Sequence, residues 1–178
     1  MSGKSSRSKG ANAELEIMRK FKAWWEPIAP DSQWARVPLS GGWGTSGQRK
    51  GFKACGDIMT TCEIFPFTVE VKRREGWVMS TLMAGKKSPV WSWWAQAMRQ
   101  GKEADLLPML VFRKSRMEWL AMVDVMTILG KCPNEGVVLP REKPTDRLQI
   151  VRIMQLSDLL KTDPKEILTL NEQPKLRG

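Results

Sequence analysis

There is no histidine anywhere in the 178 residues, and that one gap removes much of the common enzyme repertoire. A Ser–His or Cys–His nucleophile cannot be assembled. Cysteine is scarce too: Cys55, Cys62 and Cys132 form no CxxC pair and have no histidine to complete a zinc site. General base work therefore falls to carboxylates, lysine or metal-bound water. The odd cysteine count points to a reducing, intracellular setting. No apolar run approaches the roughly 18 residues of a membrane span, and the N-terminus lacks the apolar core of a signal peptide. The expectation is a cytoplasmic protein with no membrane association. No Walker-type phosphate loop and no internal repeat occur.

Acid is also scarce, but only in part of the chain. Residues 1–116 hold 20 Lys and Arg against 10 Asp and Glu, whereas residues 117–178 hold 9 of each. The whole net charge of +10 thus sits in the first two-thirds. A basic surface of that kind fits a polyanion, with DNA the expected partner. The length suits one domain with a genuine core. Its expected boundaries are a basic flexible arm over 1–9, a domain over 10–170 and a flexible tail over 171–178.

Asn12 is placed to cap a helix running to about Trp25. At about 100° per residue, Ile17, Met18, Phe21, Trp24 and Trp25 share one face, with Glu14 near its middle. A carboxylate there needs a cation or hydrogen-bond donors, unless its first-turn position lets it reach solvent. Glu16 falls on the opposite, polar side. Residues 26–35 read as a loop. From Arg36 to Lys53 come five glycines, two serines, four basic residues and no acid. Glycine lets backbone amides approach phosphate, and Arg36, Ser40, Arg49, Lys50 and Lys53 supply donors. Trp43 is suited to stacking on a base or wedging into a distorted duplex.

The centre of the chain is Gly56 to Lys72. Phe65, Phe67, Val69 and Val71 alternate with Pro66, Thr68, Glu70 and Lys72, the period of a strand with one buried face. Glu70 and Lys72 then share the other face. Asp57 opens a second strand-like run, Ile58 to Ile64, and a turn near Phe65-Pro66 would lay the two runs side by side. Asp57, Glu70 and the Val71 carbonyl would then offer oxygen ligands to Mg²⁺, a hard cation. Lys72 would sit where a cation orients the attacking water or stabilises developing charge. Arg73 and Arg74 continue the basic surface.

Downstream, Ser88-Pro89 reads as the start of a helix to about Gln100, with Trp91, Trp94, Ala95 and Met98 inward and Trp93 outward. Leu106–Phe112 and Met117–Val123 form a hairpin around Arg113–Arg116. A short helix after Asp124, a polar loop, a strand over Leu148–Met154 and a helix over Leu156–Lys161 complete the chain.

Gly56-Asp57 followed by Glu70-Val71-Lys72 resembles the PD-(D/E)XK nuclease superfamily, with Gly in place of the Pro that often precedes the aspartate. The order of features is similar to that of its Holliday-junction-resolvase branch: a helix bearing Glu14, the basic Ser/Gly-rich stretch with Ser40, then Asp57 and Glu70-Val71-Lys72. The resemblance spans about residues 10–120. It implies an α/β domain, a mixed central sheet of four or five strands flanked by helices. It further implies Mg²⁺-dependent cleavage of branched DNA (Mn²⁺ a possible substitute), Glu14, Asp57, Glu70 and Lys72 as catalytic residues, and a homodimer. Gln96 loosely matches a glutamine that the superfamily often places near the metal. Two other functions stay open: a non-catalytic basic DNA-binding protein, and a nuclease of the same superfamily acting on linear DNA.

Overall fold

The computed structural model describes residues 3–37, 51–124, 137–141 and 149–171. Helix α1 (Gly3–Trp25) leads into three short strands, β1 (Trp34–Arg36), β2 (Lys53–Cys55) and β3 (Ile58–Thr60). Strand β4 (Phe67–Arg73) is followed by α2 (Met79–Met83), α3 (Pro89–Ala104) and β5 (Leu107–Arg113). Then come β6 (Leu120–Asp124), β7 (Val137–Arg141), β8 (Gln149–Gln155), α4 (Leu156–Leu159) and α5 (Pro164–Asn171).

The fold is α/β, with a five-stranded mixed sheet ordered β4-β5-β6-β8-β7 and a separate three-stranded sheet ordered β1-β3-β2. β4 and β5 are parallel, and the remaining pairs of the larger sheet are antiparallel. A parallel pair needs a crossover connection, which α2 and α3 supply. Helices therefore cover both faces of β4. Ile17, Phe21 and Trp25 of α1 pack with Phe67, Val69, Val71 and Val111 on one side. Val90, Trp94 and Ala97 of α3 pack with Leu110 and Phe112 on the other. Consequently Thr68 and Glu70 are buried as completely as Val69. The expected half-exposed strand is buried on both faces along most of its length, as parallel strands are.

Aromatic residues fill the α1 side. Phe65 is packed edge-on by Phe21, Trp25, Trp34 and Phe67, with ring centroids 4.9–5.8 Å apart. On the α3 side, Gly101 lets the helix lie close: a Cβ there would come within 2.8 Å of the Leu106 carbonyl oxygen and 3.2 Å of the Thr68 methyl.

Several expectations need adjusting. α1 starts at Gly3 instead of Asn12, so residues 3–9 of the expected basic arm are helical. The loop expected over 26–35 ends in β1, and residues 79–83 form α2. The inward stripe of α3 is Val90, Trp94, Ala97 and Gly101, with Ala95 exposed and Trp93 partly buried against the core. β3 stops at Thr60 and pairs with β1 and β2, so no hairpin joins it to β4. The Ser88 N-cap is as expected, its hydroxyl accepting from the Val90 N–H at 3.4 Å. The β5–β6 hairpin and the β8 strand also form where the sequence places them. The helix expected after Asp124 lies outside the described residues. Among the described residues, no helix is long and apolar enough to cross a membrane.

Candidate active site

Asp57 reaches Glu70 by a route the sequence does not announce. Gly56 forms a parallel bridge with Val69 on the edge of β4 that faces away from β5. The Asp57 N–H donates to the Val69 carbonyl at 2.8 Å. Two residues on, the Val71 N–H donates to Asp57 Oδ2 at 2.7 Å, so the side chain continues the ladder that the backbone began. N–H and C=O of one strand residue point to the same edge. The Val71 carbonyl therefore faces Asp57 as well.

Gly56 makes this approach possible. Its φ is +77°, the left-handed region, and a Cβ on it would lie 2.4 Å from the Val69 carbonyl oxygen. Proline, fixed near φ −65°, could not take this conformation either. The residue that departs from the superfamily pattern is the one this backbone path requires.

Glu70 arrives from the α3 face of the sheet. Its side chain is wholly buried, Lys72 Nζ donates to Oε1, and Oε2 has no hydrogen-bond partner among the described residues. Glu14 arrives from the α1 face, and Asp57 lies at the sheet edge between the two. Burial and the charges of Glu70 and Glu14 push the Asp57 carboxyl up to about 7, partly offset by the Val71 N–H and by Lys72. Three acids thus gather around this edge of β4, two of them ion-paired, Glu14 to Arg36 and Glu70 to Lys72.

The oxygen donors at this edge are the basis for a metal fit. An orphaned buried carboxylate oxygen, a carboxylate held near neutrality and a backbone carbonyl make a hard-oxygen donor set of the kind Mg²⁺ or Mn²⁺ takes. Among the described residues, no three acidic or thiol side chains close into a ligand cage. Two carboxylates with water and substrate oxygens are enough for magnesium. Glu14 is turned aside: Arg36 Nη1 donates to its Oε2 at 3.0 Å.

The basic candidates are dispersed. Arg36 ends β1 beside the site, since the Val37 N–H donates to the Asp57 carbonyl at 3.0 Å. Lys53 Nζ instead donates to the carbonyls of Glu63 and Phe65 at 2.8 and 2.9 Å, tying β2 to the turn before β4. Arg73 reaches Ser115 Oγ at 3.4 Å, and Arg74 is exposed. Ser40, Trp43, Arg49 and Lys50 lie outside the described residues. Gln96 is half-buried on α3. Burial raises the Cys55 thiol to about 12, so it is a packing group with no thiolate at neutral pH.

Sequence reasoning set Glu16 aside on a polar helix face. In the fold its carboxylate accepts from Arg113 Nη2 at 2.8 Å and from Trp119 Nε1 at 2.7 Å. The Arg113 guanidinium also lies 4.2 Å above the Trp119 ring. This cluster fastens α1, and with it Glu14, to β5 and the approach to β6. The partners are 97 and 103 residues away, a separation that leaves no local signal.

A mixed sheet with an aspartate at its open edge and Glu-x-Lys on the adjoining strand is the arrangement of a PD-(D/E)XK nuclease. The family model described as "Phage putative PDDEXK endonuclease" matches residues 5–169, and the chain belongs to that family. It is similar to Protein D14 of Escherichia phage T5, with 31% identity over 123 residues, covering 67% of this chain and 71% of that protein. No solved structure matches the chain significantly.

Proposed function

We propose that this nuclease is a Mg²⁺-dependent, structure-selective DNA endonuclease that hydrolyses phosphodiesters at branched DNA, the Holliday junction foremost. The observation that carries the catalytic part is the Gly56–Val69 bridge, which sets Asp57 beside Glu70, Val71 and Lys72. The order of Glu14, the basic glycine-rich stretch and Glu70-Val71-Lys72 supports the junction as substrate. Asp57, Glu70 and the Val71 carbonyl would hold the ion. When bound, a divalent cation polarises a phosphoryl oxygen and lowers the pKa of water, with Mn²⁺ able to replace Mg²⁺.

The remaining work falls to the chain itself. Lys72 lies beside Glu70 on the α3 side of the sheet, about a fifth exposed. From there its ammonium would orient the attacking water or stabilise the charge that builds on the phosphoryl oxygens. Arg36, Ser40, Arg49, Lys50, Lys53, Arg73 and Arg74 would hold phosphates, and Trp43 would stack at the distorted branch. Two strands must be cut to resolve a junction, and the resemblance to the resolvase branch implies a homodimer as the acting species.

The test is a cleavage assay on labelled four-way junction, linear duplex and single-stranded DNA, with Mg²⁺ or EDTA. Paired, Mg²⁺-dependent cuts in the junction that vanish in Lys72→Ala are expected. Cutting of linear DNA alone would discard the junction and keep the nuclease. Binding of all forms with no cleavage would leave a basic DNA-binding protein.

A further inference from the structure

Arg36 and Glu14 form an ion pair of unequal exposure. The guanidinium side chain is 26% exposed, whereas the Glu14 side chain is 9% exposed. Glu14 therefore cannot exchange its partner for bulk water without leaving a buried charge uncompensated. Arg36 can readily turn toward an anion arriving from solvent. Its backbone is anchored meanwhile, Arg36 pairing with Ile58 across β1 and β3 and the next amide donating to the Asp57 carbonyl. So the cation that holds Glu14 sits in register with Ile58, the residue next to Asp57.

Resting on the nuclease reading above, we propose that Arg36 is a positioning residue shared between Glu14 and a substrate phosphodiester, so that a phosphate drawing Arg36 away hands Glu14 to the metal. Without DNA, Glu14 is neutralised by Arg36, and Asp57, Glu70 and the Val71 carbonyl would hold the ion. With DNA, the phosphate takes the guanidinium, for which bidentate anion pairing is the preferred geometry. Glu14 is then a buried carboxylate whose remaining partner is the ion. Metal and DNA would thereby strengthen each other's binding, and by linkage the two effects are equal. No bond is made or broken; one ion pair is exchanged for two others.

The test measures Mn²⁺ binding to the full chain without DNA, by the electron-spin signal of free Mn²⁺. It compares wild type, Arg36→Ala, Glu14→Gln and the double variant. Arg36→Ala frees Glu14 and should tighten Mn²⁺ binding about tenfold, within the usual span of site–site coupling. The gain should disappear when Arg36→Ala is made in the Glu14→Gln background. A gain of equal size in both backgrounds would mean that Arg36 acts only through its general field, and would overturn the proposal, as would no gain at all. Thermal unfolding checks that each variant is folded.

A second readout does not depend on Arg36→Ala folding. Glu14→Gln releases Arg36 and should tighten junction binding in EDTA about fivefold, an effect that Arg36→Lys should reduce. Unchanged DNA affinity in Glu14→Gln would refute the exchange. Wild type that binds no Mn²⁺, or binds it as well after Asp57→Asn, would instead defeat the underlying nuclease reading.

Discussion

Gly56 and Gly51 both lie in the left-handed region, at φ +77° and +84°, yet they should respond very differently to a methyl group. At Gly51 an added Cβ meets nothing within 4 Å. Gly51→Ala should therefore cost only the conformational term, about 1–2 kcal/mol. At Gly56 the same Cβ meets three Val69 backbone atoms at 2.4–2.9 Å, and backbone in the middle of β4 cannot rotate away. The bridge must open. The bond from the Asp57 N–H to the Val69 carbonyl is lost, worth about 1 kcal/mol, as is the bond from the Val71 N–H to Asp57, about 1 kcal/mol with the carboxyl protonated and up to about 3 kcal/mol with it ionised. Added to the conformational term, Gly56→Ala should cost roughly 3–6 kcal/mol. A domain of this size has only about 5–15 kcal/mol in total. Urea unfolding of both variants with Gly56 and Gly51 exchanged for Ala measures the difference, and junction cleavage measures what becomes of Asp57. Equal losses at the two positions, or full cleavage by Gly56→Ala, would refute the argument that Gly56 sets the aspartate in place.

The other predictions concern charge. Asp57 keeps a proton in the metal-free fold up to about pH 7, whereas an unfolded aspartate loses it near 3.8. Between those values the native state binds more protons, so metal-free stability falls as pH rises from 4 to 7. Asp57→Asn should flatten that slope, stabilise the metal-free protein at neutral pH and abolish cleavage; thermal melts in EDTA from pH 4 to 8 check it, and an unaltered slope contradicts it. Glu16→Ala should cost about 2 kcal/mol by removing charge-assisted bonds from Arg113 and Trp119. Its cleavage defect should exceed what the unfolded fraction explains, because Glu14 rides on the same helix; a defect no larger than that fraction would limit Glu16 to stability.

What the sequence by itself determined was periodic or chemical. The 3.6-residue stripe of α1 placed Ile17, Phe21, Trp24 and Trp25 inward, and all four are buried. The alternation over Phe67–Val71 made β4 a strand, Ser88-Pro89 began α3, and the absence of histidine with an Asp and Glu-x-Lys narrowed the chemistry to carboxylates and a metal. Tertiary structure decided the rest. β1, β2 and β3 are three residues each, too short to show a period, and β7 contains a proline. The bridge that carries Asp57 to β4 depends on one glycine's φ and an oxygen 13 residues away, and neither has a local pattern. The same holds for the cation that meets Glu14: a helical wheel shows that a buried carboxylate needs a partner, but not that Arg36 is the one. Local sequence sets which backbone shape and which face are favourable. Partners brought together over long stretches of chain are chosen by the packing of whole elements, and that choice gathers three separated acids and a lysine around one edge of a sheet.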